Sequence, residues 1–221
     1  SRLAQGDRWE LVFNIAEGLA GYGREAQVPA LLDAYEIPYT FSDPLVLSVT
    51  LHKAMTKRIL RDLGIPTTDF RVVESEADIG QVDLPFPLFV KPVAEGTAKG
   101  ITAQSRVTSR GELERECRRV LETCHQPALV EPFLAGREFT VGILGNGEDT
   151  RVFPPMEIIY LDRENPYNIY SFTVKQNYEK LIRYKSPADI DPQTGAEMIR
   201  TARRVYDVLA CRDFARMDFR L

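Results

Sequence analysis

Segment 87–92 (Pro-Leu-Phe-Val-Lys-Pro) places a lysine at the end of an apolar run. The run predicts a buried strand, in which an ammonium group without a partner would be costly. Shortly after Lys91, Gly96 and Gly100 flank a short segment, so backbone N–H groups there could converge on an anion. The residues alone leave two interpretations open: a phosphate site, or a lysine that reaches solvent beside an ordinary β-turn. A Walker A loop is excluded, because Gly-Lys-Ser/Thr is absent.

A second segment, 129–138 (Leu-Val-Glu-Pro-Phe-Leu-Ala-Gly-Arg-Glu), carries Glu131 and Glu138 on either side of a proline–glycine hinge. The N–H and C=O groups at such a hinge are available to a planar ring, and a carboxylate at its far end can accept hydrogen bonds from sugar hydroxyls. This arrangement suits adenosine. The alternative is a surface salt bridge between Arg137 and Glu138.

Alternation along the last segment puts Arg216 and Asp218 on one face of a predicted strand. They form either a structural ion pair or a phosphate clamp beside a Mg²⁺ ligand. One carboxylate holds Mg²⁺ poorly, so we expect further oxygen ligands from beyond residue 221. Lys53 and Lys175 are either phosphate contacts or solvated lysines.

The composition excludes several classes of protein. A net charge of −4 provides no broad basic field for nucleic acid or an anionic membrane. The three cysteines are too few and too scattered for a disulfide framework, and no apolar run approaches the roughly 18 residues of a spanning helix. His52 and His125 lack metal-ligand spacing, so zinc and hydrolase chemistry have no support. We predict a cytoplasmic protein, and a fragment cut at both ends.

The elements that must position these residues indicate an α+β protein. The N-terminal part predicts a buried strand at residues 10–15, a helix to Tyr35, a helix that Asp43 caps, and a helix at 51–63. The last of these should bury Met55, Ile59, Leu60 and Leu63.

The spacing of the apolar residues then changes to the alternation typical of strands, at residues 70–73, 88–90 and 101–107. Ser109 and Glu112 predict a capping box before an amphipathic helix, whose Arg118 and Arg119 we expect to be exposed. Further strands follow at 128–130, 139–144 and 156–160, and a turn at 145–148 leads into a partner strand. Residues 161–180 lack periodicity and are a candidate lid. Thr194 and Glu197 should cap a last helix, which buries Met198, Ala202, Val205, Tyr206 and Leu209.

Taken in order, these pieces resemble the ATP-grasp superfamily and, within it, the D-alanine-D-alanine ligase group. The resemblance runs nearly from end to end. Its motifs are Ile37-Pro-Tyr-Thr-x-Ser-Asp-Pro-Leu, His52-Lys53-x-x-Thr56-Lys57, Gly64-Ile-Pro-Thr, Phe89-Val-Lys-Pro-x-x-Glu-Gly, Leu129-Val-Glu-Pro-Phe, Gly136-Arg-Glu and Ala215-Arg-Met-Asp-Phe219.

The resemblance implies an ATP-grasp fold, in which two α+β subdomains clasp ATP. Residues 1–45 would be the remainder of an α/β N-terminal domain, 46–130 the first subdomain, and 131–221 the second, truncated at its C terminus. The implied ligands are ATP, Mg²⁺ and an amino acid or small peptide, with neither nucleic acid nor a membrane as a partner. Dimers are common in the group, so a homodimer is compatible with this assignment.

The resemblance also implies a role for each site residue. Lys53, Lys91 and Lys175 would contact the phosphates together with the loop residues Glu95, Gly96 and Thr97; Glu131 would bind the adenine amino group, the backbone near Phe133 and Leu134 the ring, and Glu138 the ribose. Arg216 would stabilise the tetrahedral intermediate, with Thr97 and Lys175 also in the catalytic set. Asp218 would ligate Mg²⁺.

The implied activity is that of an ADP-forming carboxylate–amine ligase of cell-wall (peptidoglycan) synthesis, which works through an acyl phosphate. The chain departs from the group at several motifs. Thr97-Ala98 stands in place of Ser-Ser, Lys175-Gln176 in place of Lys-Tyr, and His52 in place of Asp. Glu17-Gly18 and Gly23-Arg-Glu-Ala26 likewise replace the group's first loop motifs. The alternative is therefore an ATP-binding module of the same fold that does not catalyse.

Overall fold

The computed structural model of the protein describes residues 2–161 and 178–221. Lys175 and most of the candidate lid lie outside the described residues. The chain divides into two compact units, each assembled from three segments. The first unit comprises Ser1–Leu51, Thr140–Pro155 and Ile190–Met217, and the second comprises His52–Phe139, Met156–Asp189 and Asp218–Leu221.

The second unit is built on an antiparallel sheet of four strands. They are β1 (Arg71–Val73), β2 (Leu88–Pro92), β3 (Arg106–Val107) and β4 (Ala128–Pro132), in the order β1-β4-β2-β3. The inward residues of β2 and β4 are apolar and buried, as β-branched and leucine side chains on a covered sheet face should be. The core that they form includes Val73, Leu88, Val90, Val107 and Val130.

One side of that core is closed by helix α5 (Arg110–Cys124), which presents Leu113, Cys117 and Val120 to the sheet. Ser109 Oγ accepts from Glu112 N at 3.4 Å, which confirms the predicted start of the helix. The Glu112 carboxylate reaches back to Thr108 N at 2.6 Å. A single helical turn, α4 (Glu76–Ile79), adds Ile79 to the same core.

Helix α3 (Lys53–Asp62) opens the second unit, with the His52 side chain accepting from Met55 N. Ala54 is buried, but Met55 is 45% exposed, so the predicted burial of Met55 is wrong. Lys53 and Lys57 stand one helical turn apart. The same unit contains β7 (Met156–Tyr160), which pairs antiparallel with β8 (Ile182–Lys185), and the short helix α6 (Tyr178–Leu181).

The first unit contains α1 (Gln27–Ala34), α2 (Pro44–Leu51) and α7 (Pro192–Val208). Asp43 Oδ1 accepts from Val46 N at 3.1 Å and caps α2 as predicted. Helix α7 begins earlier than expected, because Asp191, rather than Thr194, accepts from the backbone of the first turn. Its buried face holds the predicted residues Met198, Ala202, Val205, Tyr206 and Leu209.

Strands β5 (Glu138–Leu144) and β9 (Phe214–Arg220) pair with each other, and β5 also pairs antiparallel with β6 (Arg151–Val152). Because the unit boundaries fall inside β5 and β9, these two strands contribute residues to both units. No helix among the described residues is long and apolar enough to cross a membrane.

The predicted buried strand at residues 10–15 is wrong, and the predicted strand at 101–107 is correct only for its last two residues. In the first segment one bridge forms, between Val12 and Tyr39, and Leu11, Phe13 and Ile15 are exposed. In the second segment a 3-10 turn at Ala103–Ser105 comes before the two-residue strand β3. The hydroxyls of Thr102 and Ser105 bond the local backbone there, and so compete with sheet pairing.

Candidate functional site

The register of β2 against β4 brings Lys91 to Glu131. Phe89 lies opposite Glu131 and Lys91 opposite Leu129, so the two charged side chains are diagonal neighbours on one face. Lys91 Nζ and Glu131 Oε1 form an ion pair, with side chains 20% and 14% exposed. Lys91 is therefore paired beside the sheet, and not the solvated lysine of the alternative interpretation.

Lys57 joins this pair from helix α3, and sequence reasoning assigned it no role. Its Nζ lies 3.2 Å from Glu131 Oε2 and donates to the hydroxyls of Thr67 at 2.8 Å and Thr68 at 2.7 Å. We call Lys57, Lys91 and Glu131 the lysine–carboxylate cluster. A signal was available, because Lys57 follows Lys53 by one helical turn and thus projects from the same side of α3.

The electrostatics of the lysine–carboxylate cluster favour an anion. Burial acts to raise the pKa of Glu131, but the charges of Lys91 and Lys57 outweigh burial and hold that pKa below its ordinary value. Burial lowers the pKa of Lys57, and Glu131 opposes this effect. With all three groups ionised, the cluster has one more positive than negative charge. A partly buried net positive charge of this kind attracts a phosphate or carboxylate.

The loop after β2 is attached to helix α3 through Lys53. Lys53 N donates to Val93 O at 2.9 Å, and Lys53 Nζ donates to the carbonyl of Glu95. The Glu95 carboxylate accepts from Gln126 Nε2 at 2.5 Å. Lys53 and Glu95 are therefore brought together, immediately after the strand that carries Lys91.

The same loop has a tightly defined backbone. Thr97 and Ala98 adopt left-handed conformations, with φ of 51° and 62°, which L-residues rarely do. At Gly100, φ is 79° and a Cβ would lie 2.5 Å from Pro92 Cγ, so only glycine fits. The Gly100 carbonyl accepts from Arg119 at 2.7 Å, and Arg119 also pairs with the buried Glu116. The predicted exposure of Arg119 is therefore wrong.

Glu138, at the far end of the hinge, is held by two donors. Its Oε2 accepts from Tyr160 Oη and from an Arg220 guanidinium nitrogen, both at 2.5 Å. Arg220 also donates to the carbonyls of Leu134 at 3.2 Å and Gly136 at 3.3 Å. We call Glu138, Tyr160 and Arg220 the hinge cluster. Sequence reasoning missed Arg220, although strand alternation from Arg216 and Asp218 leads to it.

The salt bridge considered between Arg137 and Glu138 does not form. Arg137 instead forms a bidentate salt bridge with Glu157, at 2.7 Å to each carboxylate oxygen. This contact lowers the pKa of Glu157. Arg137 also donates to Asp189 O at 2.6 Å. Glu138 is thus left to the hinge cluster.

An aromatic surface lies beside the hinge. The rings of Phe89 and Phe133 are 6.1 Å apart, and the Arg106 guanidinium lies 5.3 Å from the centre of the Phe133 ring. Phe133 N donates to Pro87 O at 2.9 Å, so this N–H is already used within the sheet. A ligand would therefore meet the Phe133 ring and the N–H of Leu134, whose carbonyl already accepts from Arg220.

Arg216 and Asp218 occupy alternate, exposed positions of β9, as strand alternation predicts. Across the described residues, no group of three His, Cys, Asp or Glu side chains could hold a metal ion. Asp218 is thus a single carboxylate, and the residues present do not by themselves fit a Mg²⁺ site.

The fold is that of a known class of protein. The structure superposes on the VanG D-Ala:D-Ser ligase from Enterococcus faecalis with a TM-score of 0.76 and 24% sequence identity, over 96% of this chain and 59% of that one. The chain therefore has the ATP-grasp fold, which confirms the predicted fold class.

Sequence comparison narrows the class to a family. The D-ala D-ala ligase C-terminus family matches residues 59–221, and the chain belongs to it. It is 35% identical over 200 residues to a D-alanine–D-alanine ligase of Acidovorax ebreus, covering 89% of this chain and 57% of that protein. It is 32% identical over 213 residues to the uncharacterized protein y4sG of Sinorhizobium fredii, covering 96% and 61%. The chain thus spans about three fifths of the length of these relatives.

Proposed function

We propose that the protein binds ATP and uses it to join a carboxylate to an amine, as an ADP-forming ligase that works through an acyl phosphate. The lysine–carboxylate cluster, beside a loop bounded by Gly96 and Gly100, is the observation that most supports this function. Membership of the family supports it independently.

The phosphate end of the proposed site is formed by Lys53 and Lys91 with the adjoining loop, whereas Glu131 of the lysine–carboxylate cluster is assigned to the adenine. Lys91 and Lys53 would contact the phosphates, and Glu95, Gly96 and Thr97 would line them. Such cations offset the charge that builds up on a transferred phosphoryl group, and they are most effective where the protein has already positioned them. When Lys91 turns to a phosphate, Lys57 remains to hold Glu131 ionised.

The nucleoside end of the proposed site is the hinge. Glu131 would accept from the adenine amino group, and Phe133 and Leu134 would contact the ring. Glu138 would accept from the ribose hydroxyls. In the sequence, the phosphate contacts proposed for Lys53, Lys91 and residues 95–97 come before the ribose contact at Glu138, and that of Lys175 comes after it.

The remaining predicted roles stay proposals. Arg216, with Thr97 and Lys175, would act on the reacting groups, and Asp218 would ligate Mg²⁺. A Mg²⁺ ion at Asp218 would need oxygen ligands beyond those that the described residues supply, so no step of the proposed reaction is derived through it. The division at residues 45 and 130, the cytoplasmic location and the homodimer also remain predictions.

The substrate that we propose is D-alanine or a related small amino acid or peptide. The A. ebreus relative is named for two D-alanines, and VanG for D-alanine and D-serine. Relatives of this fold thus differ in the amine that they join. Thr97-Ala98 in the loop and His52 before Lys53 are departures that bear on which pair this protein accepts.

An assay of ADP release by the full-length protein tests this proposal. D- and L-amino acids and dipeptides are supplied singly and in pairs with ATP and Mg²⁺, and we expect stimulation by a pair that includes a small D-amino acid. Lys91→Ala should reduce the stimulated rate about a hundredfold. The exposed Lys185→Ala serves as a matched control and should leave the rate unchanged. Unchanged ATP affinity in Lys91→Ala would contradict the site, and no stimulation by any pair would contradict the ligase.

The second candidate is an ATP-binding module that does not catalyse. Thr97 and Ala98 favour this candidate, because they replace the family's serine pair and so change the side chains nearest to the proposed phosphates. Both residues have a left-handed backbone conformation. Calorimetric titration with ATP separates the two. Binding that is lost in Lys91→Ala, together with no ADP release under any condition, would favour the module.

A further inference from the structure

Arg220 connects the two parts of the hinge that the proposed site would use for a nucleoside. One terminal nitrogen of its guanidinium donates to the carbonyls of Leu134 and Gly136, and the other donates to Glu138 Oε2. The Arg220 side chain is 19% exposed and that of Glu138 is 12% exposed. A single side chain therefore sets the distance between the hinge backbone and the carboxylate.

The chemistry of the contact requires arginine. A guanidinium is planar and offers its donors in a fixed fork, so it can serve acceptors on two sides at once. A lysine ammonium at this position could keep the charge contact with Glu138, but it lacks the span to hold both carbonyls as well.

The backbone around Arg220 is also fixed against the hinge. Leu221 N donates to Arg137 O at 3.1 Å. At Gly136 a Cβ would fall 1.2 Å from Leu221 O, so any other residue would collide with the end of β9. The guanidinium therefore starts from an anchored backbone, and its orientation is passed on to Glu138.

We infer that Arg220 is a positioning residue of the nucleotide site, which orients Glu138 to accept hydrogen bonds from the ribose hydroxyls. Among the described residues, Arg220 and Tyr160 both approach Glu138 at Oε2. With Oε2 bound to both donors, Oε1 is the oxygen that would accept from a ribose hydroxyl. Because this role rests on the proposed nucleotide site, its test must separate the two ideas.

The experiment compares ATP with 2′,3′-dideoxy-ATP, which lacks the ribose hydroxyls. Affinities of the full-length protein are measured by calorimetry for wild type, Arg220→Met, Arg220→Lys and Glu138→Gln. We expect Arg220→Met to weaken ATP about tenfold and dideoxy-ATP by less than about twofold, because the loss is confined to hydrogen bonds with the hydroxyls. Arg220→Lys, which can keep the charge contact with Glu138, should retain part of the wild-type difference between the affinities for ATP and dideoxy-ATP.

Arg118→Met is the matched control. Arg118 is also paired with a glutamate, Glu76, but on the exposed side of α5, and its loss should change neither affinity. Equal weakening of both nucleotides in Arg220→Met would overturn the inference, since Arg220 would then act only on the shape of the hinge. Unchanged affinities would overturn it as well.

If Arg220→Met does not fold, Arg220→Lys and Glu138→Gln decide the question. The inference then requires Arg220→Lys to lose part, and Glu138→Gln most, of the wild-type discrimination between the two nucleotides. Full wild-type discrimination in either variant would overturn it. If the wild-type protein binds ATP but the variants behave like Arg118→Met, the inference alone fails. If the wild-type protein binds neither nucleotide, the proposed function itself fails.

Discussion

The lysine–carboxylate cluster and the hinge cluster each contain one glutamate, Glu131 and Glu138, which are seven residues apart in the sequence. The two clusters nevertheless differ in net charge. Two lysines surround Glu131, whereas Glu138 has one arginine and a tyrosine hydroxyl. The first cluster thus has an excess positive charge, and the second is neutral. In the proposed site the excess positive charge would act on the phosphates through Lys91, and the neutral hinge cluster would meet the ribose.

The difference predicts unequal costs for removing the two carboxylates. Glu131→Gln leaves two partly buried ammonium groups beside a neutral amide, and should lower the free energy of unfolding by about 3 kcal/mol or more. Glu138→Gln should cost about 1–2 kcal/mol, because Arg220 keeps its two carbonyl acceptors. Chemical denaturation of both variants measures the costs. An equal or greater cost for Glu138→Gln would remove the contrast between the clusters.

The same contrast depends on pH. Because the folded-state pKa of Glu131 lies below its ordinary value of 4.5, its ion pairs stabilise the folded protein above that pH, and the contribution is lost as the pH falls through the lowered pKa. The stability difference between wild type and Glu131→Gln should therefore be full at neutral pH and should narrow on acidification. Denaturation curves between about pH 3 and pH 7 give this profile. A difference that does not vary with pH would mean that Glu131 is not ionised as described.

Removing the excess positive charge of the lysine–carboxylate cluster should weaken binding of the phosphates without weakening binding of the nucleoside. Lys57→Met leaves Lys91 and Glu131 as a neutral pair, in which Glu131 stays beside a lysine and can still accept from the adenine amino group. It should lower the affinity for ATP about tenfold and the affinity for adenosine by less than about twofold. Calorimetric titration with both ligands measures this ratio, and Lys185→Met is the control. If ATP and adenosine weakened equally, Lys57 would be acting on the fold and not on the charge of the site.

The smallest effect is expected at Tyr160. Tyr160→Phe removes one of the two donors to Glu138 Oε2 and should cost about 1 kcal/mol of stability, since Arg220 still holds the carboxylate. Tyr184→Phe, at an exposed position of β8, is the control and should cost less than Tyr160→Phe. Thermal unfolding of the two variants side by side tests this. A larger loss at Tyr160 than in Glu138→Gln would mean that the tyrosine, and not Arg220, is the main support of the hinge cluster.

The parts of the fold that the sequence predicted are those with strong local signals. Helix α5 has its cap at Ser109 and an apolar face, and α2 has Asp43 before Pro44, so both begin where expected. The predicted strand at residues 10–15 failed for a reason that is not local. Apolar content indicates that a segment can join a sheet, but not how far a neighbouring segment pairs with it. Here the backbone of Val12 bonds to Pro38 and Thr40, and among the described residues this pairing stays a single bridge.

The residues of the candidate site likewise divide into those that local sequence signals predicted and those that they did not. Lys91 stood out because a charge at the end of an apolar strand is unusual, and Glu138 because it lies at the far end of the proline–glycine hinge. That Lys91 meets Glu131, 40 residues away, depends on the register of β2 against β4, which no short motif specifies. Lys57 and Arg220 were missed because a charged residue on a helix or at the end of a strand is normally solvated. Only the packed structure shows that these two are held by several partners.

The contact between Arg220 and the hinge has a consequence for the order in which the protein is made. Arg220 lies 82 residues after Glu138, so a ribosome that has just completed the hinge has not yet produced the side chain that holds it. At roughly 5–20 residues per second, translation leaves the hinge without this support for several seconds. During that interval a nascent chain carries β2 and β4 with their lysine–carboxylate cluster but lacks the support that we assign to Glu138. The contacts proposed for Lys53, Lys91 and Glu131 would thus be in place before the support for the ribose contact at Glu138.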